Sequence, residues 1–369
     1  MRCFCRILAW SLYWSYLGRW PTHDWNGREY TEGSEACRLA TDVYWLAGGF
    51  AAVFFSLESD LDCFYKTWRL ENHGGPHNPC CWCPASLASD NNWRDVRPSA
   101  GWIGRCYTAA SWTAAHPDPL ELFLLFFVTT ATINPDWMHV KYLGVDQYLF
   151  ASALKILTHH HLPNDPDVNM ALVMRHLKEY FNDNNVRNAY QLITTRMYCN
   201  KDTPKLKGRA SEIRHLGKAL HHVFNLLMDH GDTLHKEIKA TLKLNTMLED
   251  KLDCCDEWNF QGQAYDEFLE TAHMFCGGYN TCAATANSER GLELFPVTIK
   301  LHHLLHCVLR SQRLHPKASW CFKGEAFMKV SKQLHMSCTR GLAQYAATVK
   351  VASKMLTALH YQFSDIAAE

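Results

Sequence analysis

Apolar positions recur every three or four residues through the second half of the chain and lose that rhythm in the first. The clearest stretch is Ser211 to Met228, where Ile213, Leu216, Leu220, Val223 and Leu227 fall on one helical face. Leu234, Ile238, Leu242, Leu248 and Leu252 repeat the pattern and predict a helix over 234–252. Only His230-Gly231-Asp232 connects the two, and so short a link predicts antiparallel neighbours. Helical spacing begins at Val140 to His161, is punctuated at Asn164 to Asp167 and resumes at Met170 to Phe181. Further helices are expected over 265–275, 297–309, 325–335 and 341–361.

The first 150 residues read differently, rich in tryptophan, glycine and proline around two apolar runs, Val43 to Leu57 and Leu120 to Ile133. Both are shorter than the roughly 20 apolar residues of a membrane span, so buried elements are expected. Phe123, Phe126, Phe127, Val128, Thr129 and Thr130 make the second run a predicted buried strand. Near the start, Arg2 and Arg6 precede Ile7-Leu8-Ala9-Trp10 as in a signal peptide, but Ser11 and Ser15 interrupt the apolar part. Between the runs lies a loop-like stretch carrying Pro76, Pro79, Pro84 and Pro98, too long to stay unpinned in a compact domain. The expected fold class is therefore α+β. An irregular segment over 1–40 precedes a small mixed α/β region over 41–150, which holds a Cys/His-rich loop at 73–116. A helical domain over 151–369 follows.

Composition narrows the classes. Hydrophobic residues are 47% and charged residues 20% of 369, which excludes wholesale disorder. Lysine plus arginine equals aspartate plus glutamate at 37 each, so a DNA partner would need a local basic patch, not an overall surplus. The 16 cysteines are scattered along a chain long enough to bury a large core, and they are expected to be reduced. That reading implies an intracellular setting, nuclear or cytoplasmic, with no membrane partner.

Four constellations can carry chemistry. In His73-Gly74-Gly75-Pro76-His77-Asn78-Pro79-Cys80-Cys81-Trp82-Cys83, the spacing of Cys80 and Cys83 lets two thiolates reach one tetrahedral zinc. His73, His77 and His116 are candidates to complete that structural site, as are Cys63 and Cys106; a reduced, packed cysteine loop is the competing reading. Asp136, in Asn134-Pro135-Asp136-Trp137-Met138-His139, follows the second apolar run, where a strand-end carboxylate can meet Mg²⁺. It also reads as a first-turn carboxylate opening the next helix. Glu212 stands near a helix start, where the dipole favours an acid. His302 and His306 share a helical face, but no carboxylate completes an HExxH pattern. Leu301, Leu304 and Leu305 make these histidines, with His303, read as packed core residues without a metal. No Walker-type loop, dinucleotide fingerprint or nucleophile elbow is present.

Taken in order, Ser59-Asp60-Leu61-Asp62, Trp68-Arg69-Leu70-Glu71-Asn72-His73, Cys80-Cys81-Trp82-Cys83, Asp136-Trp137-Met138-His139 with Leu143-Gly144-Val145, Lys207-Gly208-Arg209-Ala210-Ser211-Glu212 and the tail Ile299 to His306 form a pattern. It resembles transposase-derived open reading frames of protist genomes, distantly similar to the DDE transposases of cut-and-paste DNA elements. The resemblance spans about residues 45 to 340. It implies a partial RNase H-like core in which three carboxylates hold Mg²⁺ for DNA strand cleavage and transfer. Asp60 or Asp62 matches the first acid of the pattern, Asp136 the second and Glu212 the helix-borne third. Ser59 replaces the glycine expected before the first acid, and the match begins late in the family pattern, so lost catalysis is the expectation. The alternative is a non-catalytic interaction or structural protein with a zinc-stapled loop.

Overall fold

The computed structural model describes residues 2–41, 44–75, 78–199, 203–339, 346 and 349–357. They divide into two compact units, Met1–Ser319 and Trp320–Glu369. The first unit opens with α1 (Arg2–Leu17), α2 (Glu35–Thr41), strand β1 (Leu57–Ser59), α3 (Leu61–Lys66) and α4 (Ala109–Ala115). Strand β2 (Ile133–Pro135) then leads into a π-helical segment (Met138–Asp146), α5 (Gln147–Lys155) and a second π-helical segment (Ile156–His161). The helical array continues with α6 (Pro166–Asp183), α7 (Ala210–Leu227), α8 (Thr233–Cys254), α9 (Gly262–Arg290) and α10 (Ile299–Leu309). In the second unit, α11 spans Phe322–Thr339. The described residues are thus predominantly helical, with one small two-stranded parallel sheet near the N-terminal region. The boundary expected at residue 150 falls inside α5, and the first unit continues across it.

The helical half follows its sequence pattern closely. The expected helices at 211–228 and 234–252 are α7 and α8, and their periodic leucines, isoleucines and valine are buried. Arg214 pairs with Asp253 while Lys218, one turn on, pairs with Asp250, the crossing order of antiparallel neighbours. Asp232 opens α8 by accepting the His235 N–H, a local cap that fixes where the chain re-enters helix. Helix α9 runs well past the expected 265–275 because Cys276, Tyr279, Cys282 and Ala286 continue its buried face. Gly278 lets α9 approach α8: a Cβ there would sit 2.8 Å from Thr241 Oγ1. Of the helix expected over 341–361, only 346 and 349–357 are described, and they are helical.

Charge is also buried where these helices meet. Lys141 Nζ lies 2.7 Å from Asp146 and 3.0 Å from Glu249, and Arg214 Nε reaches Glu249 at 3.2 Å. Arg214 in turn pairs with Asp253 at 2.6 Å, and Lys317 with Asp253 at 2.9 Å. The result is an alternating series of acids and bases running from a fully enclosed ammonium to the surface. Burial pushes Asp146 up to about 6, against the pull of Lys141.

The N-terminal half departs from expectation. Leu120 to Ile133 is not a strand: Glu121–Leu124 is a 3-10 turn and pairing begins only at Ile133. The Thr132 hydroxyl accepts the Thr129 N–H and donates to the Thr129 carbonyl, which favours a turn over a ladder. Among the described residues of the other apolar run, Phe50, Val53 and Phe55 are exposed, and burial begins at Leu57. Instead of a sheet, tryptophans organise this half. Trp82 Nε1 donates to the Ile133 carbonyl at 2.7 Å, Trp102 Nε1 to Asp95 at 2.8 Å and Trp112 Nε1 to Cys81 at 3.2 Å. Each buried indole thereby supplies apolar contact and closes one backbone acceptor, of β2 for Trp82 and of the long connection between β1 and β2 for Trp102 and Trp112.

Candidate metal centre

The Cys-rich segment has little regular structure, yet Cys80, Trp82 and Cys83 are almost wholly buried. What buries them is α10. Its eleven residues are apolar or histidine apart from Lys300, and nine of them are buried. Arg310, just beyond its end, donates to the Asn134 side chain at 3.2 Å and to the Thr130 carbonyl, which ties this helix to β2. The CxxC segment hangs from the same strand through Trp82 and Ile133. Sheet, loop and helix therefore meet at one point.

At that point four donors converge: Cys80, Cys83, His302 and His306, all buried, with ligand atoms within 4.8 Å of one another. Cys80 Sγ is 3.4 Å from His306 Nε2, and Cys83 Sγ is 3.4 Å from His302 Nε2 and 3.3 Å from His306 Nε2. The two imidazole Nε2 atoms are 3.1 Å apart. Zinc bonds of about 2.0–2.3 Å at tetrahedral angles put neighbouring donors roughly 3.3–3.8 Å apart, so a small inward or outward adjustment admits the ion. The helical spacing of four puts both histidines over one face, and the two-residue gap of the CxxC turns both thiols toward it.

The protonation state suits a metal as well. Burial alone would raise the Cys80 thiol, but Cys83 beside it and the two imidazoles hold it well below the usual thiol range. Burial and the neighbouring Cys80 thiolate push Cys83 upward. A cation entering the pocket would displace protons held by the thiol pair. Burial lowers His302 and His306, so both are neutral and can donate a lone pair. The rings of Trp102 lie 4.2 Å from His302 and 5.0 Å from His306, sealing the centre from solvent.

The expected ligands divide sharply. Cys80 and Cys83 are in the group. His73 faces Asp62 at 3.5 Å, and His116 bonds to Glu71 while stacking on Trp112, so both histidines are engaged elsewhere. His77 lies outside the described residues. His302 and His306, read as packed core histidines, are indeed packed, and they pack against the two thiols. The sequence carried the signal as two separate halves, a CxxC lacking a second pair and an HxxxH lacking an acid. All 16 cysteines are free.

The expected catalytic acids are not gathered in the same way. β1 and β2 pair in parallel with Ser59 opposite Pro135, so Asp60 and Asp136 leave adjacent strands at the same level. Asp60 accepts the Cys63 N–H at 2.6 Å and caps α3. Asp136, almost fully buried, accepts the Met138 N–H at 3.0 Å and bonds to His139. Asp62 is exposed and pairs with Lys66 at 2.6 Å. Glu212 closes a capping box at α7, accepting the Arg209 N–H at 2.8 Å, which accounts for its carboxylate locally. Among the described residues, no three of these four carboxylates share a space the size of a metal site.

No family model, curated protein or solved structure matches the chain. Among the described residues, no helix is long and apolar enough to cross a membrane.

Proposed function

We propose that this chain is a non-catalytic structural or interaction protein whose tryptophan-rich N-terminal region is stapled to its helical array by zinc. The observation that carries this reading is the convergence of Cys80, Cys83, His302 and His306, two thiols and two neutral imidazoles, in a buried pocket. A buried set of protein donors leaves no open position for substrate, which is the character of a structural site. Metal analysis of purified protein is expected to find about one zinc per chain, lost in Cys83→Ser and in His306→Ala. Protein that folds natively without zinc and takes up none on reconstitution would overturn the reading.

A second reading, descent from a DDE transposase, draws support from the strand register that sets Asp60 beside Asp136. On that reading Mg²⁺ would be the cofactor and DNA the partner. It is tested by Mg²⁺- or Mn²⁺-dependent cleavage of DNA, compared with Asp136→Asn. Equal activity in both proteins removes catalysis at this position.

A further inference from the structure

His303 sits between the two candidate ligands on α10 and is only 1% exposed. Among the described residues it is the one histidine whose two ring nitrogens are both buried and without a hydrogen-bond partner. Other enclosed histidines use at least one: His235 Nδ1 accepts the Asp229 N–H and His315 Nδ1 accepts the Lys317 N–H, each at 3.0 Å. A packed core would fill the His303 position better with leucine or phenylalanine, because an imidazole keeps one donor and one acceptor that burial penalises.

Helix geometry explains where those nitrogens are useful. Residues 302 and 306 are four apart and 303 and 306 three apart, so His306 lies between the other two rings on one broad face. The three imidazoles converge electrostatically on one sulfur, Cys80. His303 lies just outside the four-donor group, its ring 5.6 Å from that of His302 and held edge-on by Trp82 at 5.2 Å.

Resting on the zinc reading, we propose that His303 is a fifth donor to the same ion, making the centre a Cys2His3 set for a borderline transition metal. Zinc and cobalt(II) both accept imidazole with thiolate, and four-coordinate zinc is able to take on a fifth ligand. The ring turns toward Cys80 to give a lone pair to the metal. Its other nitrogen then carries the proton.

The test uses the full-length protein loaded with cobalt(II), and with zinc for X-ray absorption. Wild type is expected to give the weak visible ligand-field bands of five-coordinate cobalt and a zinc shell of two sulfurs and three nitrogens. His303→Phe keeps the aromatic contact with Trp82, and its cobalt bands should intensify several-fold and shift to the tetrahedral pattern, with one nitrogen fewer around zinc. His303→Gln, smaller and still polar, gives a second route to the same comparison should the first fail to fold. Identical cobalt spectra for wild type and a folded variant, with two sulfurs and two nitrogens in each, overturn the fifth-donor assignment and leave the four-donor centre standing. Absence of any cobalt or zinc bound by wild type overturns both.

Discussion

Cys83 Sγ lies 3.4 Å from His302 Nε2 although 219 positions of sequence separate them. A contact of that kind closes the greater part of the first unit into a loop, with α4, β2 and α5 to α9 all inside it. Cross-linking so long a loop restricts the unfolded chain by about 5 kcal/mol in the chain-entropy picture, whatever the native contacts add. Chelation of zinc, or Cys83→Ser, is therefore expected to lower the thermal midpoint of the first unit strongly. The tryptophans report it: Trp82 and Trp102 flank the histidines, so near-UV circular dichroism and fluorescence should change before far-UV helicity does. Unchanged midpoint and fluorescence after complete metal removal would contradict the staple.

The buried ion series gives a second expectation. Lys141 is wholly enclosed, with Asp146 and Glu249 as its counter-charges. Lys141→Met keeps the stem's packing but strands Asp146, whose remaining partner is the Asn245 amide at 2.6 Å. Removing one partner of a buried pair costs on the order of 3–5 kcal/mol, far more than the pair contributes net. Urea denaturation should show a loss of that size for Lys141→Met, with part of it recovered in Lys141→Met/Asp146→Asn. A loss below about 1 kcal/mol would mean that water reaches the site.

How much of this was legible in the sequence follows from what each residue needs. Ile213, Leu216, Leu220 and Val223 need only their own helix and a neighbour, and the short link to α8 supplies one, so that pair reads directly from spacing. Leu120 to Ile133 has the composition of a strand, but the pairing that makes a strand lies with Leu57–Ser59, far away, and reaches only three residues. The candidate metal centre was hidden for the same reason. Nearby His73 and His116 were natural partners for the CxxC, yet Asp62 and Glu71 hold them, and the imidazoles that face the thiols arrive on a helix more than 200 positions on. Periodicity told where His302 and His306 point but not what faces them.

A third expectation concerns Gly144, at the break in the π-helical segment where Leu143 leaves helical geometry (φ −86°, ψ 20°). The carbonyls of His139 and Leu143 there are taken by Lys300 Nζ at 2.9 and 2.8 Å. Burial, then the Lys205 ammonium, lowers the Lys300 amine to about 8, and the charges of Asp60, Asp136 and Asp62 pull the other way. A Cβ at Gly144 would lie 2.5 Å from Lys300 Cδ and 3.0 Å from the His139 carbonyl oxygen. The lysine tip is anchored, so its stem cannot simply swing aside. Gly144→Ala should therefore cost about 1–3 kcal/mol despite the better helix propensity of alanine. Pairing it with Lys300→Ala relieves the clash, so the double variant should be less destabilised than the sum of the singles. Strict additivity would show that the close approach is not what costs.

The last expectation is a pH dependence carried by His315. Its ring stacks on Phe260, 5.0 Å between centroids and 20° from parallel, and only 4% of the residue is exposed. Nδ1 accepts the Lys317 N–H at 3.0 Å, an arrangement open only to the neutral ring. Burial, then the nearby Lys317 ammonium, lowers the group from 6.5 to about 4. The unfolded chain therefore takes up this proton first as pH falls, and stability tied to the neutral ring is fully present above about pH 6.5 and lost on the way down to about 4. A shift of that size corresponds to at most about 3 kcal/mol, and the Phe260 packing is unaffected by pH above the window. Asparagine at this position offers an amide oxygen to the Lys317 N–H but cannot titrate. Between pH 7 and pH 4 the stability of wild type should fall relative to His315→Asn by about 1–3 kcal/mol, read from urea midpoints at matched ionic strength. Parallel pH profiles would show that His315 stays as easily protonated as in the unfolded chain, and that its contact with Lys317 does not depend on the neutral ring.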